Sequence, residues 1–485
     1  MNPAVAAPPV GLPVGTGDRR QVSEWAPLVV LMAGVFMIVL DFFIVNVALP
    51  AMQRSLGAST SQLEWVVAGY GLTFAVFLIA AARLGDRIGR RRCFSAGLAL
   101  FVATSALCGL APNAAVLVGA RFGQGLAGAL ISPNLLSILG VVYPGEKRVR
   151  ALTVYGMVMG LAAAGGQVIG GLLMAADIAG SGWRAIFLIN LPVGLAGLVL
   201  AGRLIPESRS DDARRIDLTG MGLASAAILA LVLPLIEGHD AGWAPWTWAS
   251  LAAAAVMGVA FVRHQRGLAG RGGAPLLDPA VFRVPGLRAG LATQLAFWCG
   301  QASFYLILAL YLQDGRGMRP LASGLVFTVL AAAYLVVSSR APQLTVRYGR
   351  DLILVGALLT AAGDGALWLF VHHYAGGGTL WLLAPGLALV GAGQGAAITP
   401  LTTTVMAHST PSQAGAVSGA LSTMQQVGNS LGVAVTGAVF YSAVSHGYPT
   451  AFGRGVVELA VLLVGVAVLT RTLPARRRAG SGAGA

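Results

Sequence analysis

Apolar stretches about the length of a bilayer span recur almost end to end along the 485 residues, interrupted by short groups of charged residues or by Gly and Pro. Windows of about 20 apolar residues mark transmembrane helices. They predict spans near 27–49, 62–82, 93–111, 113–138, 151–174, 185–204 and 217–237. Seven more are predicted near 245–264, 288–312, 321–340, 350–371, 379–404, 413–442 and 455–473. The third and fourth are parted only by Ala111 to Asn113, where Pro112 favours a turn. The total of fourteen is even, so both termini lie on one side.

Composition agrees with this pattern: 56% of residues are hydrophobic, 10% are charged and the mean hydropathy is +0.77. A water-soluble surface could not be built from so few charges. The formal net charge is +14, which in a soluble chain would suggest nucleic-acid binding. Here the bases sit in loops, with no stripe interleaved with aromatics for base stacking, so no nucleic-acid partner is expected. With fourteen spans, 26 of the 32 basic residues fall in the tails and in one set of loops. The positive-inside rule makes that side cytoplasmic. The segment before the first span has no apolar run of the signal-peptide kind. Cys93, Cys108 and Cys299 show no CxxC spacing, so neither disulfides nor a metal site is indicated.

Two sequence echoes suggest an internal repeat. Arg83-Leu-Gly-Asp-Arg-Ile-Gly-Arg90 after helix 2 returns as Gln343-Leu-Thr-Val-Arg-Tyr-Gly-Arg350 after helix 10, and Gly123-Gln-Gly125 of helix 4 returns as Gly393-Gln-Gly395 of helix 12. Both lie eight helices apart. The expected organisation is a tail over 1–26, a six-helix half over 27–205, a two-helix insertion over 206–287, a second six-helix half over 288–473 and a tail over 474–485. Repeats of this kind place a ligand site near mid-membrane between the halves.

Several chemistries are excluded. The single lysine, Lys147, follows Glu146, so no phosphate-binding P-loop exists, and H-E-x-x-H and a strand-borne G-x-S-x-G are absent. Within the spans, Arg121 costs about 2.5–3.5 kcal/mol to insert unless it has a partner or lines a wet cavity. Asp41 lies at a similar depth in helix 1, and Asp364 is a second intramembrane acid, in helix 11. The Gly85 and Gly89 positions permit a tight reversal, and Asp86 there is expected to accept hydrogen bonds from a helix N-terminus. Helix 5 carries Gly156, Gly160, Gly165, Gly166, Gly170 and Gly171, a stripe suited to close helix approach.

These motifs, in their order along the chain, resemble the major facilitator superfamily and within it the fourteen-span drug:proton antiporters of the EmrB/QacA type. The likeness covers nearly the whole chain. It rests on Leu40-Asp41 with Asn46 to Pro50, on Leu84 to Arg91, on Arg121 to Gly125, on Gly166 to Gly171, on Gly182 to Asn190 with Pro192, and on Gln425-Gln426. Two departures stand out: Ala82 replaces the leading glycine of the loop signature, and Gln167 replaces a proline expected to kink helix 5.

The resemblance implies an all-α membrane protein of the major facilitator fold that exports drugs or antibiotics in exchange for protons by alternating access. It implies proton coupling through Asp41, Arg121 and Asp364, and gating by Gly85, Asp86, Arg87, Gly89 and Arg90. Packing of the antiporter helix would fall to Gly160, Gly166, Gln167, Gly170 and Gly171, and the substrate cavity to Phe297, Trp298, Gln301, Tyr305, Gln425 and Gln426. The expected partners are a small-molecule substrate, protons and the lipids of the cell (inner) membrane, in a monomer without cofactor or metal. A carrier for a polar metabolite and a non-transporting receptor or scaffold are the other readings the residues allow.

Overall fold

A computed structural model describes residues 24–209, 217–238, 241–277, 279, 282, 286–374, 379–406 and 414–473. The tail residues 1–23 and 474–485, and with them Arg19, Arg20 and Arg476 to Arg478, lie outside the described residues. Helices account for nearly all of the described chain, which has no strand among the described residues.

The helices are α1 (Ala26–Leu56), α2 (Thr60–Ile88), α3 (Arg90–Gly109), α4 (Ala114–Val142), α5 (Glu146–Ala176), α6 (Gly182–Leu204) and α7 (Leu218–Glu237). They continue as α8 (Pro245–Gly270), α9 (Leu287–Gly315), α10 (Pro320–Tyr348), α11 (Arg350–Tyr374), α12 (Leu380–Met406), α13 (Ala414–Val444) and α14 (Tyr448–Thr470). Thirteen are individually long and apolar enough to cross a membrane, and α5 is the fourteenth when its two arms count as one span. The expected number is met.

Most helices are longer than their apolar windows. The 31 residues of α1 reach about 46 Å at 1.5 Å per residue, well beyond a hydrocarbon core of about 30 Å. Their ends carry local stops: Gly57 closes α1 in a left-handed conformation, the Ser59 and Gln62 side chains form a capping box on α2, and Asn113 caps α4 by accepting from the Val116 N–H. The turn expected at Pro112 therefore exists, fixed by the side chain of Asn113.

The packing order shows a repeat. In the first six helices the main partners are α1 with α5, α2 with α4, α3 with α4 and α3 with α6. In the last six they are α9 with α13, α10 with α12, α11 with α12 and α11 with α14, the same pairs moved on by eight. The two sets meet through α5 on α10 and α13 on α2, which that shift exchanges. Individual glycines obey it too. A Cβ on Gly125 of α4 would strike the Tyr70 carbonyl of α2, and one on Gly395 of α12 would lie 2.7 Å from the Tyr334 carbonyl of α10. The inserted α7 and α8 pack on each other, and α7 also touches α2 and α13.

The two helix sets are joined most tightly at the face remote from the chain ends. Arg54 of α1 pairs with Asp314 of α9 at 3.3 Å, and the Gln313 amide donates to the Val47 carbonyl at 2.8 Å. On the other flank, Gly171 of α5 sits against Leu321 of α10, with a Cβ at Gly171 only 2.7 Å from the Leu321 Cα. Toward the opposite face this contact fades, and a Cβ at Gly156 would have no neighbour within 4 Å.

Candidate functional site

Asp41 and Arg121 are both fully buried, and they meet. Arg121 of α4 donates through Nη1 to Asp41 Oδ2 of α1, and through Nε to the Val66 carbonyl of α2 at 2.8 Å. Asp41 Oδ1 accepts from Gln124 Nε2 at 3.0 Å and from Asn190 Nδ2 of α6 at 2.8 Å. Gln124 and Asn190 also donate to Ser105 Oγ of α3, at 2.9 and 3.2 Å, which ties them to each other. The carboxylate thus accepts from three side-chain donors, Arg121 and Gln124 of α4 and Asn190 of α6, while Ser105 of α3 braces the two amides. Arg121 Nη2 is buried without a hydrogen-bond partner. The guanidinium instead lies over the Tyr70 ring, 4.6 Å from its centroid, a cation–π contact.

Removing the charge from one partner of such a pair leaves the other buried and uncompensated, at a cost of about 3–5 kcal/mol. A proton arriving on Asp41 would therefore release Arg121 from a position it cannot hold cheaply. The C-terminal repeat lacks this pair: where Arg121 reaches the Val66 carbonyl, the corresponding Gly391 lies directly on the Leu330 carbonyl.

A central cavity lies between the two helix sets, with about 1190 Å³ of atom-free space counting its open mouth. Trp298, Gln301 and Tyr305 of α9 face it, as do Gln425 and Gln426 of α13. Phe297 does not line it. Adjacent helical positions diverge by about 100°, so Trp298, Gln301 and Tyr305, at i, i+3 and i+7, share a face that excludes Phe297. Phe297 packs instead with Ile353, Ala357, Ala397 and Leu401 behind α9. Tyr70 links cavity and ion pair: one part of its surface lines the cavity, the ring carries Arg121, and its hydroxyl donates to the Ile38 carbonyl at 3.2 Å.

Around the α2–α3 turn, Gly89 has φ +120°, a value few side chains tolerate. Gly85 lies inside α2 against Asn134 of α4, which would collide with any side chain there. Asp86 is also inside α2 and takes Arg90 in a salt bridge, with Nε at 3.0 Å and Nη2 at 2.7 Å. The expected partner, a helix N-terminus, is not what it holds, because α2 extends beyond Asp86 and turns the carboxylate toward its own i+4 arginine. Arg87 is exposed. Arg91 donates to the Ile205 carbonyl at the end of α6 at 3.1 Å, and Arg83 donates to the Ala274 carbonyl at 2.9 Å and to that of Pro275. The turn is thus bound to the segment that leads into α9.

The α5 glycines divide between two partners. Gly166 and Gly170 face Phe43, Ile44 and Val47 of α1, whereas Gly160 and Gly171 face Tyr334 and Leu321 of α10. Gln167 is buried, and its amide donates to the Phe43 carbonyl at 2.9 Å. Loss of the proline was expected to remove a kink, yet the arms Glu146–Ala163 and Gly165–Ala176 meet at a 47° bend. The Gly165-Gly166 pair supplies the softness.

Asp364 is buried on α11, its Oδ1 without a hydrogen-bond partner, beside a groove between α11 and α14 that includes Trp368. It joins neither the Asp41 cluster nor the central cavity. Tyr70, Ser105 and Asn190 were not singled out from sequence. Asn190 closes the Gly182 to Asn190 motif, which was the available signal.

The sequence matches the profile of the Major Facilitator Superfamily over residues 31–433. It is 37% identical over 433 residues to the probable actinorhodin transporter of Streptomyces coelicolor, covering 88% of this chain and 75% of that one. It is 35% identical to the tetracenomycin C resistance and export protein of Streptomyces glaucescens, covering 88% and 77%, and 34% identical to a cephamycin export protein of Amycolatopsis lactamdurans, covering 96% and 95%. A POT family transporter in complex with 5-aminolevulinic acid shares the fold, with a TM-score of 0.67 over 92% of this chain and 96% of that one, at 15% identity. A paired acid and arginine behind a cavity flanked by two repeated helix sets are thus found in a chain that belongs to the Major Facilitator Superfamily, in its drug antiporter branch.

Proposed function

We propose that the protein is a secondary exporter of small, mostly apolar compounds, driven by protons and working by alternating access between two six-helix halves. Its place is the cell membrane, with both termini cytoplasmic. The relatives named for actinorhodin, tetracenomycin C and cephamycin support export of an antibiotic-type molecule. The observation that carries the reading is the position of the Asp41–Arg121 pair, one tyrosine ring away from the cavity.

That placement supports a cycle. With Asp41 ionised, Arg121 is neutralised and Tyr70 is held against the guanidinium. A proton reaching Asp41 from outside breaks the pair, and Arg121 then draws on Tyr70 and Gln124, altering the cavity wall. Substrate leaves as the proton enters, and proton release to the cytoplasm restores the pair. The closure at Arg54–Asp314 and Gly171–Leu321 supports a resting form shut at the face remote from the chain ends, with the 83–92 turn parting from Ala274 and Pro275 as the cytoplasmic side opens fully. Asp364 is the reserve acid of this scheme.

Everted vesicles test it. On imposing an acidic interior, vesicles containing the protein should accumulate an apolar test compound, and an uncoupler should release it. Accumulation equal to that of vesicles lacking the protein would reject proton-driven export.

A further inference from the structure

The central cavity is lined unequally by its two walls. From α1, α2, α4 and α5 it receives aliphatic and aromatic surface, with Ser132, Tyr70 and Tyr155 as the sole side chains bearing polar atoms among the described residues. From α9, α12 and α13 it receives five carboxamides: Gln301, Gln394, Gln425, Gln426 and Asn429. Among the described residues no Asp, Glu, Lys, Arg or His lines it. Asp41 and Arg121 are fully buried behind Tyr70 and neutralise each other.

Three consequences follow from the chemistry. A permanent cation would lose its hydration without meeting a carboxylate, and desolvating an unpaired charge is costly. A carboxamide both donates and accepts, so a wall of five suits a ligand edge that mixes carbonyl and hydroxyl groups. Some of this capacity is unused: Asn429 donates to Gln426 at 3.3 Å, while its own Oδ1 is buried without a partner. Opposite, Phe42 and Phe43 of α1 offer rings for stacking, and Trp298 and Tyr305 add rings beside the carboxamides on α9.

Building on the exporter reading, we infer that the cavity selects uncharged, flat, polycyclic aromatic molecules with one apolar edge and one edge carrying carbonyl and hydroxyl groups. The apolar edge lies against α1 and α5, and the oxygenated edge against the carboxamides of α9 and α13. This selectivity separates the protein from exporters of lipophilic cations.

The test uses purified full-length protein and equilibrium dialysis with three probes of similar size: 1,8-dihydroxyanthraquinone, unsubstituted anthraquinone and ethidium. The wild type should bind the dihydroxy compound at least tenfold more tightly than ethidium. Gln301→Leu with Gln426→Leu should weaken the dihydroxy compound at least fivefold and leave anthraquinone within twofold. Gln426→Glu should strengthen ethidium at least fivefold, a gain that a misfolded variant could not show. Ethidium bound as tightly as the dihydroxy compound, no binding of either, or equal losses for both anthraquinones in the double variant would each overturn the selectivity. Transport of the same probes into everted vesicles is measured separately. Wild type that binds as described but moves no probe sinks the exporter reading alone, and wild type that exports ethidium preferentially sinks the selectivity alone.

Discussion

Charge compensation between Asp41 and Arg121 can be measured by replacing each partner and then both. Asp41→Asn keeps the shape but leaves the Arg121 guanidinium with the Val66 carbonyl, Gln124 Oε1 and the Tyr70 ring as its remaining contacts. The new amide also presents a donor where Arg121 or the pair Gln124 and Asn190 already donate, so one hydrogen bond becomes a clash of donors. Breaking a fully buried pair in this way costs about 3–5 kcal/mol. Arg121→Met leaves the carboxylate with two neutral amide donors and a similar deficit. The double variant removes both charges, so most of the loss should return, the Val66 carbonyl losing only the second of its two donors because it lies inside helix α2. Thermal unfolding can be followed by a thiol-reactive dye, because Cys93 and Cys108 are buried and Cys108 Sγ donates to Gln124 at 3.3 Å. At one fixed heating rate, since such unfolding is often irreversible, each single variant should melt several degrees below wild type and the double variant above either single. A double variant that loses the sum of both singles would refute charge compensation and assign the cluster's value to its hydrogen-bonded shape.

Other outcomes are expected at sites outside this pair. Asp86→Asn should lower the transport rate severalfold with substrate affinity within twofold, because it loosens the Arg90 contact at the turn and not the cavity; unchanged turnover with lost binding would contradict this. Its effect on stability should be under about 1 kcal/mol, since the pair is partly exposed. Asp217, which caps α7, is pulled up by burial but held below the usual carboxylate range by the Gly220 N–H, His264 and Gln265. A carboxyl depressed in the folded state adds stability above its unfolded pKa of about 3.9 and loses it in acid below. The melting difference between wild type and Asp217→Asn should therefore be larger at pH 5 than at pH 3, and an equal difference would show that charge is not involved. A reporter fused at Ala485 should be active only in its cytoplasmic form.

Helix number was legible because each span must satisfy its backbone internally and present apolar surface to lipid, which writes an unmistakable run. Helix ends were less so. Hydropathy falls at Arg54 and at Arg83, yet α1 and α2 continue to Leu56 and Ile88 because hydrogen bonding continues into water until Gly57 and Gly89 stop it. That extension moved Asp86 into a helix and gave it Arg90 as partner. Similar depth put Asp41 and Arg121 within electrostatic reach of each other, and a buried arginine needs a partner or a wet cavity, but that the two are bonded is seen only in the structure. Depth alone could not show Tyr70, Ser105 and Asn190 around them, which depends on how α2, α3 and α6 are rotated. Rotation also decided between Phe297 and Trp298, which are neighbours in sequence but face different surroundings. The α5 stripe was visible as glycines, but its division between α1 and α10 is a property of the assembled bundle.

Proton coupling through Asp41 is tested most directly in proteoliposomes holding purified wild type or Asp41→Asn, with a fluorescent neutral aromatic substrate and an imposed pH gradient. The substitution keeps a hydrogen-bonding group at the position and removes titration. Folded Asp41→Asn should exchange substrate down its gradient but fail to concentrate it, whatever the pH difference. Concentration at the wild-type rate would contradict coupling at Asp41 and transfer the role to Asp364.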